Sequence, residues 1–500
     1  MIQYPLPKGS SEPWWITSDS AGRIWFVQQS PPALVMFNQQ TDNFTMFLVP
    51  SSNATVEYVA SDSFGNLWFT ELTTNKLGEL RNGTTKIIEY SIPPGQIQFG
   101  SGSQALNCGP TVVKADSSGN IWVACEFSNQ IDEFFPRTAK FFSYNLPIYQ
   151  SAPAGFAFDN NGNLWFTAAD ADMIGQAVLA NLKNGTTSGI SEFAPVNNTY
   201  IFSQQHEEGP LGPSVKYNSS LPTPSGIALD SSGRLWITEH VDSAFDSFNV
   251  NTRSLVKYWT SQTYDKYGYS VSFPNGIAID SDGNIWISEH YGNKILEFNP
   301  TTNRMVEYPI PCCASDVAGP YSLTIGPNGT IWFVEISGAA IGELKPSDAA
   351  SPISLNIPSP NLSIQSGSSV KAPIIVSAES GLQSVDLNVS GLTSSGAFPS
   401  GMAEFTKQSF DLSPGQTMND TLSVSTQGLK SGSYYLTVSA TDSNGTIYSQ
   451  ILELSVSPSS SLTSTAVYVF VIAIILSIAV VGSLVALSRR PKRVMRKRRR

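Results

Sequence analysis

Histidine and cysteine are nearly missing from this chain. It has three His and four Cys in 500 residues, with no CxxC pair and no Cys/His spacing of the zinc type, which argues against a fold or a site built on zinc. Charge is also scarce, at 14% of residues, and unevenly placed. Nine of the 29 Lys and Arg lie in Arg489 to Arg500, leaving 20 basic against 39 acidic side chains, a formal charge of −19, in everything before. An acidic exterior of that kind argues against nucleic acid as the partner and suits cations or a salty medium. No charged and apolar leader precedes the strand-like residues that begin at Ile2, so the expectation is a start further upstream or insertion by the tail.

What is abundant is a repeat. Gly233-Arg-Leu-Trp236-Ile-Thr-Glu239-His240 has close copies around Trp25, Trp68, Trp122, Trp165, Trp286 and Trp332, with successive spacings of 43, 54, 43, 71, 50 and 46 residues. That period is one four-stranded blade with insertions in the longer repeats, so the expected fold class is all-β with a seven-bladed β-propeller over residues 1–346. Within a repeat, Pro224 to Asp230 reads as the inner strand. Asp230 to Gly233 is a tight turn, Leu235 to Thr238 the second strand, and Ser254 to Tyr258 the outer one. The seventh repeat has no outer strand after Trp332. Ile2 to Pro7 matches Met305 to Pro311 nearly position for position, so residues 1–7 are expected to complete the last blade and close the ring.

After the propeller a Ser/Pro-rich linker is expected at 347–361. Short alternating runs over 362–457, free of Cys, His and Trp, then read as an immunoglobulin-like β-sandwich serving as a stalk. A linker at 458–465 leads to Ala466 to Leu487, 22 residues without a charge, long enough as a helix to cross a bilayer core. The basic tail at 488–500 places the C-terminus in the cytoplasm by the positive-inside rule. The expected location is therefore the cell membrane, single-pass, with the propeller outside. Eleven Asn-x-Ser/Thr sites between Asn43 and Asn444 agree with an exterior location.

All four cysteines fall in the propeller. Cys108 precedes an inner strand and Cys125 ends the strand beside it, so antiparallel pairing brings them close enough for a disulfide. Cys312 and Cys313 could form a vicinal disulfide, bind a soft metal or stay thiols. In a four-stranded blade, the loops after the second and fourth strands open on one face, which is the expected binding face. It receives Glu71, Glu126, Glu239, Glu289 and Glu335, the long insertions, and all three histidines, His206, His240 and His290.

The repeat resembles the streptogramin B lyase (virginiamycin B lyase) family over roughly residues 1–345. The resemblance is carried by Pro274-Asn-Gly-Ile277 with Gly283 to Glu289 and Asn293-Lys-Ile295, and by Asn75 to Gly78 with Glu89 to Pro93. It implies a C–O lyase that opens a cyclic depsipeptide by elimination, using Mg²⁺ and a histidine base on a Pro-His-Gly-Ile turn. At that turn this chain has Trp14, Thr111, Ala154, Ser225, Asn275 and Tyr321 instead of His, although Glu12-Pro13 keeps the pair before it and Glu126 keeps a metal-side spacing. A second resemblance, to the gluconolactonase and regucalcin group, implies a divalent metal held by Glu, Asn and Asp near the axis, with Glu12 and Asn275 in two of those roles and Ser225 where the Asp would stand.

Three function classes follow: a metal-assisted lyase, a metal-dependent lactone hydrolase, and a non-catalytic surface ligand-binding or adhesion protein. The ligand is a small molecule, peptide or surface group on the top face. For an enzyme, the expected metal ligands are Glu12, Asn275 and Glu289, oxygen donors suited to Mg²⁺ or Ca²⁺. His290 is the expected base with His240 its partner, because imidazole titrates near neutral pH.

Overall fold

The protein, in a computed structural model, is all-β. The structure describes residues 1–99, 102–194, 196–201, 223–241, 243–260, 272–311, 318–346, 352–393, 396–397 and 401–458. His206, Cys312, Cys313, the expected membrane span at 466–487 and the basic tail lie outside the described residues. Among those that are described, no helix is long and apolar enough to cross a membrane.

Each repeat folds as one antiparallel four-stranded sheet for a local reason. Asp230 Oδ1 accepts the backbone N–H groups of Ser232 and Arg234 at 2.9 Å, which closes the turn, and Asp230 Oδ2 accepts the Trp236 indole N–H at 3.0 Å. Asp19, Asp62, Asp116, Asp159 and Asp280 do the same for Trp25, Trp68, Trp122, Trp165 and Trp286. The seventh repeat has Gly326 in that place, and the Trp332 indole N–H is without a partner. The tryptophans are buried against the following blade: Trp236 packs with Ile285, Ile287 and Phe298.

Inner strands Ser11–Ser18, Val56–Ser61, Pro110–Ala115, Pro153–Phe158, Pro224–Leu229, Pro274–Ile279 and Pro320–Ile325 touch in cyclic order, the last meeting the first. The seven sheets thus form a closed β-propeller. Closure is the one expected: Ile2–Pro5 is the outer strand of the last blade, paired with Ala340–Leu344 from Ile2↔Glu343 to Pro5↔Ala340. Blade five gains a further edge strand, Val196–Ile201, parallel to Ser254–Trp259. Cys108 and Cys125 are joined by a disulfide, both fully buried.

Beyond the propeller, two sheets enclose one core that includes Ile374, Val376, Leu387, Leu422, Leu436, Val438, Leu452 and Leu454. Its first strand, Ile353–Asn356, falls inside the stretch expected to be linker. Ile353, Leu355 and Ile357 alternate into the core, and the strand pairs with Ser369–Ala378.

The two parts share a sheet. The outer strand of blade six, Arg304–Pro309, pairs antiparallel with the last sandwich strand, Ile447–Ser457, from Arg304↔Gln450 to Glu307↔Ile447. The top face is the end where inner strands begin and second and fourth strands finish. Pro309 is at that end, level with Lys294 and Glu289. The last strand therefore runs downward, and from Gln450 to Ser457 it extends past the bottom edge by roughly 23 Å at about 3.3 Å per residue.

Candidate functional site

The site grows from a bulge that all seven inner strands share. Register shifts fall between Pro13 and Ile16, Val56 and Val59, Pro110 and Val113, Pro153 and Gly155, Pro224 and Ile227, Pro274 and Ile277, and Pro320 and Leu323. A bulge re-aims the side chain beside it. The re-aimed residue stands 11 before each repeat tryptophan: Trp14, Glu57, Thr111, Ala154, Ser225, Asn275 and Tyr321. All seven line one axial funnel of about 230 Å³ on the top face, joined by Trp15, Tyr58, Glu126 and Asp170.

The Trp-x-Thr/Ser part of the repeat fixes this ring from blade to blade. Thr238 Oγ1 accepts the Gly226 N–H at 2.9 Å and donates to the Asn275 carbonyl at 2.8 Å, and Ser288 repeats the relay from Gly276 to Tyr321. Neighbouring backbones come so close here that a Cβ on Gly226 would lie 2.3 Å from the Asn275 carbonyl oxygen. This accounts for glycine in the Pro-x-Gly turn.

One side of the funnel is aromatic and acidic. Trp15 stacks on Tyr58 with ring centres 4.1 Å apart, and Trp14 tilts onto Tyr321 at 4.5 Å. Burial raises Glu57 to about 7, against a hydrogen bond from Trp14 that lowers it, with the Glu126 charge adding to the rise. Burial also raises Glu126, helped by the charge of Asp170. Tyr321 is pushed up to about 12 by burial and then by Glu57. On the far side the Ser225 hydroxyl donates to Asn275 Oδ1 at 2.6 Å, while Asn275 Nδ2 donates to the Tyr321 carbonyl at 3.2 Å.

Of the expected metal ligands, Asn275 lines the funnel, buried. Glu12 is exposed, in the left-handed region at φ 56°, and does not line it. Glu289 is fully buried inside its blade, beside Lys294 and Glu307, and its carboxyl is raised well above the usual range by burial and then by Glu307. The three side chains do not converge. Glu71, Glu239 and Glu335 are likewise turned into their blades, against Thr74, Lys257 and Gln3. Strand alternation is the reason: these glutamates stand three residues after their tryptophan, whereas Glu126 stands four after Trp122 and reaches the funnel.

His240 and His290 are brought together, with ring centres 6.3 Å apart. Neither lines the funnel. His290 meets the Tyr321 ring edge-on at 5.2 Å, and His240 stacks on Phe273 at 5.2 Å. Both are lowered to about 4, by burial first; a hydrogen bond to the Pro274 backbone opposes this for His240, and the charge of His240 adds to it for His290. Each keeps a buried Nδ1 without a hydrogen-bond partner. Of the seven ring residues Glu57 is the one that sequence reasoning missed, because Val56 stands where the other six repeats have proline; Trp15, Tyr58 and Asp170 were missed as well.

No family model and no curated protein matches this chain. Solved structures do. A streptogramin B lyase is 23% identical with a TM-score of 0.54, over 69% of this chain and 96% of its own. Virginiamycin B lyase from Staphylococcus aureus is 22% identical with a TM-score of 0.53, over 68% and 97%. A catalytically inactive His-to-Ala variant of that enzyme, solved with quinupristin, gives the same values. At this identity the likeness shows the propeller fold.

Proposed function

We propose that this chain is a membrane-anchored binding protein that holds the funnel of its propeller away from the bilayer for a small-molecule, peptide or surface ligand. The observation that carries this reading is the direction of the last strand. Ile447–Ser457 leaves the propeller on the bottom face, opposite the funnel, and the sheet shared with blade six fixes that geometry. An apolar stretch at 466–487 following that strand would set the membrane below and the funnel mouth above. Two sheets around one core suit a stalk of immunoglobulin-like type. So does the Tyr434 hydroxyl, which donates to the Lys430 carbonyl at 2.6 Å as in a tyrosine corner.

The test uses intact cells expressing the full chain. A membrane-impermeant amine label should modify propeller lysines such as Lys8 and spare Lys492 and Lys497. A ligand screen read by the fluorescence of Trp14 and Trp15 should give a saturable hit that Ser225→Trp, which fills the funnel, abolishes. Labelling of the tail on intact cells, or hits that survive Ser225→Trp, would overturn the reading.

One observation favours a second reading, elimination chemistry of the lyase type. A carboxyl raised to about 7 inside a cavity, as Glu57 is, can take and return a proton at neutral pH. A hard divalent cation, Mg²⁺ or Ca²⁺, would meet Glu57, Glu126 and Asp170 here rather than Glu12 and Glu289, with these carboxylates having to draw together to share one ion, and would supply charge stabilisation to a developing oxyanion. Turnover of a cyclic depsipeptide or lactone, abolished by Glu57→Gln with the fold retained, would favour this reading over simple binding.

A further inference from the structure

We infer that the ligand enters the funnel by an organic ammonium group, seated against Trp15 and Tyr58 and neutralised by Glu57, Glu126 and Asp170. The inference deepens the binding reading above and rests on it.

Charge makes the first argument. Glu57, Glu126 and Asp170 come from three consecutive blades and meet in one cavity, and among the described residues no basic side chain lines it. The single basic residue on the inner strands, Lys114, does not line it and donates to the Phe156 carbonyl at 3.0 Å. The carboxyls feel each other: Glu126 raises Glu57, and Asp170 raises Glu126. Among the described residues nothing basic balances these carboxyls, and a ligand's cation would.

The walls make the second argument. Trp14, Trp15, Tyr58 and Tyr321 line the same cavity. The Trp14 indole is engaged with Glu57 and the Trp15 indole with Tyr58, so these rings are held in place by the acidic side itself. Aromatic rings attract ammonium groups through their π faces but offer no ligand to a hard metal, which takes six or more oxygens. Size makes the third. At about 230 Å³ the cavity is below the roughly 300–1,000 Å³ of drug-sized sites, so it takes a head group while the rest of the ligand stays on the top face.

The experiment titrates the full-length chain in detergent, at low ionic strength, with choline and with its neutral isostere 3,3-dimethylbutan-1-ol, reading tryptophan fluorescence. Choline should give a saturable change, with the alcohol at least tenfold weaker. Glu57→Gln and Glu126→Gln should each weaken choline at least fivefold without lowering the melting temperature. Trp15→Phe, which keeps a ring, should weaken it less than Trp15→Ala. Equal affinity for choline and the alcohol would overturn the inference and leave an apolar binding funnel. Displacement of choline by MgCl2 with the same saturable signal would overturn it in favour of a divalent-cation site. Silence towards choline while a screened ligand still binds would overturn it alone, whereas the absence of any ligand lost in Ser225→Trp would sink the binding reading itself.

Discussion

Removing residues 1–7 tests the ring closure most directly, and the structure sets the size of the effect. Four residues pair with the last blade, and the Leu6 N–H adds a bond to the Ala339 carbonyl at 2.9 Å. Gln3 Nε2 donates to both Glu335 carboxylate oxygens at 3.0 and 2.9 Å, and the Tyr4 hydroxyl donates to Glu343 at 2.9 Å. The Tyr4 ring packs 4.7 Å from Phe37 and 5.8 Å from Trp332, bridging the last blade to the first. Setting the four backbone pairs against the cost of ordering the segment, and taking about 1 kcal/mol net for each of the four further hydrogen bonds and about 2 kcal/mol for the ring, the truncation costs about 6 kcal/mol. Unfolding entropy of about 2.1 cal/mol/K per residue over roughly 345 residues gives about 0.7 kcal/mol/K, so the Tm should fall by about 8 °C. Tyr4→Ala alone should account for about 3–4 °C of it. Calorimetry on the full chain and the truncation measures this, and a fall below about 2 °C would refute the claim that this strand closes the ring.

The disulfide and the histidines give two more predictions. Replacing both Cys108 and Cys125 by Ala, which opens a closed loop with a sequence separation of 17, should cost about 3 kcal/mol, and reductant should lower the wild-type Tm but not that of the variant. A melting curve indifferent to reductant would refute this. His240 and His290, at about 4 when folded against about 6.5 unfolded, leave the unfolded chain with more bound protons between those values, so their contribution makes stability fall as pH falls from 6.5 to 4. Glu57 and Glu71, raised to about 7, act with the opposite sign between about pH 4.5 and 7. The difference between wild type and His240→Gln/His290→Gln therefore isolates the histidines: in urea unfolding the variant should lose less stability between pH 7 and pH 5, and parallel curves would contradict the burial argument.

The propeller was legible because each blade repeats one chemical device. Asp230 closes its turn and holds Trp236 with a single carboxylate, and five other aspartates do the same six residues before their tryptophan. The junction with the sandwich was not legible. Arg304–Pro309 and Ile447–Ser457 join through backbone groups at two sheet edges, and such pairing leaves little side-chain pattern in either strand. Ile353–Asn356 did carry a signal, since its apolar residues alternate, but Ser and Pro around it masked the strand.

At the site, position in the repeat says more about what a side chain can reach than residue type does. His290 and Glu289 attract attention as base and ligand, yet in this repeat parity decides what a side chain can reach: the third residue after the tryptophan points into the blade and the fourth towards the top face. Glu289 obeys the first rule; Glu126 and His290 obey the second, His290 stopping against the Tyr321 ring short of the funnel. Counting 11 residues back from each tryptophan would have found the whole axial ring, Glu57 included, without the proline that marks it elsewhere. That count matters for chemistry. Beside the expected histidines it sets a funnel in which the raised carboxyl of Glu57, between Trp14 and Glu126, is the group we propose to meet a ligand's charge or its proton.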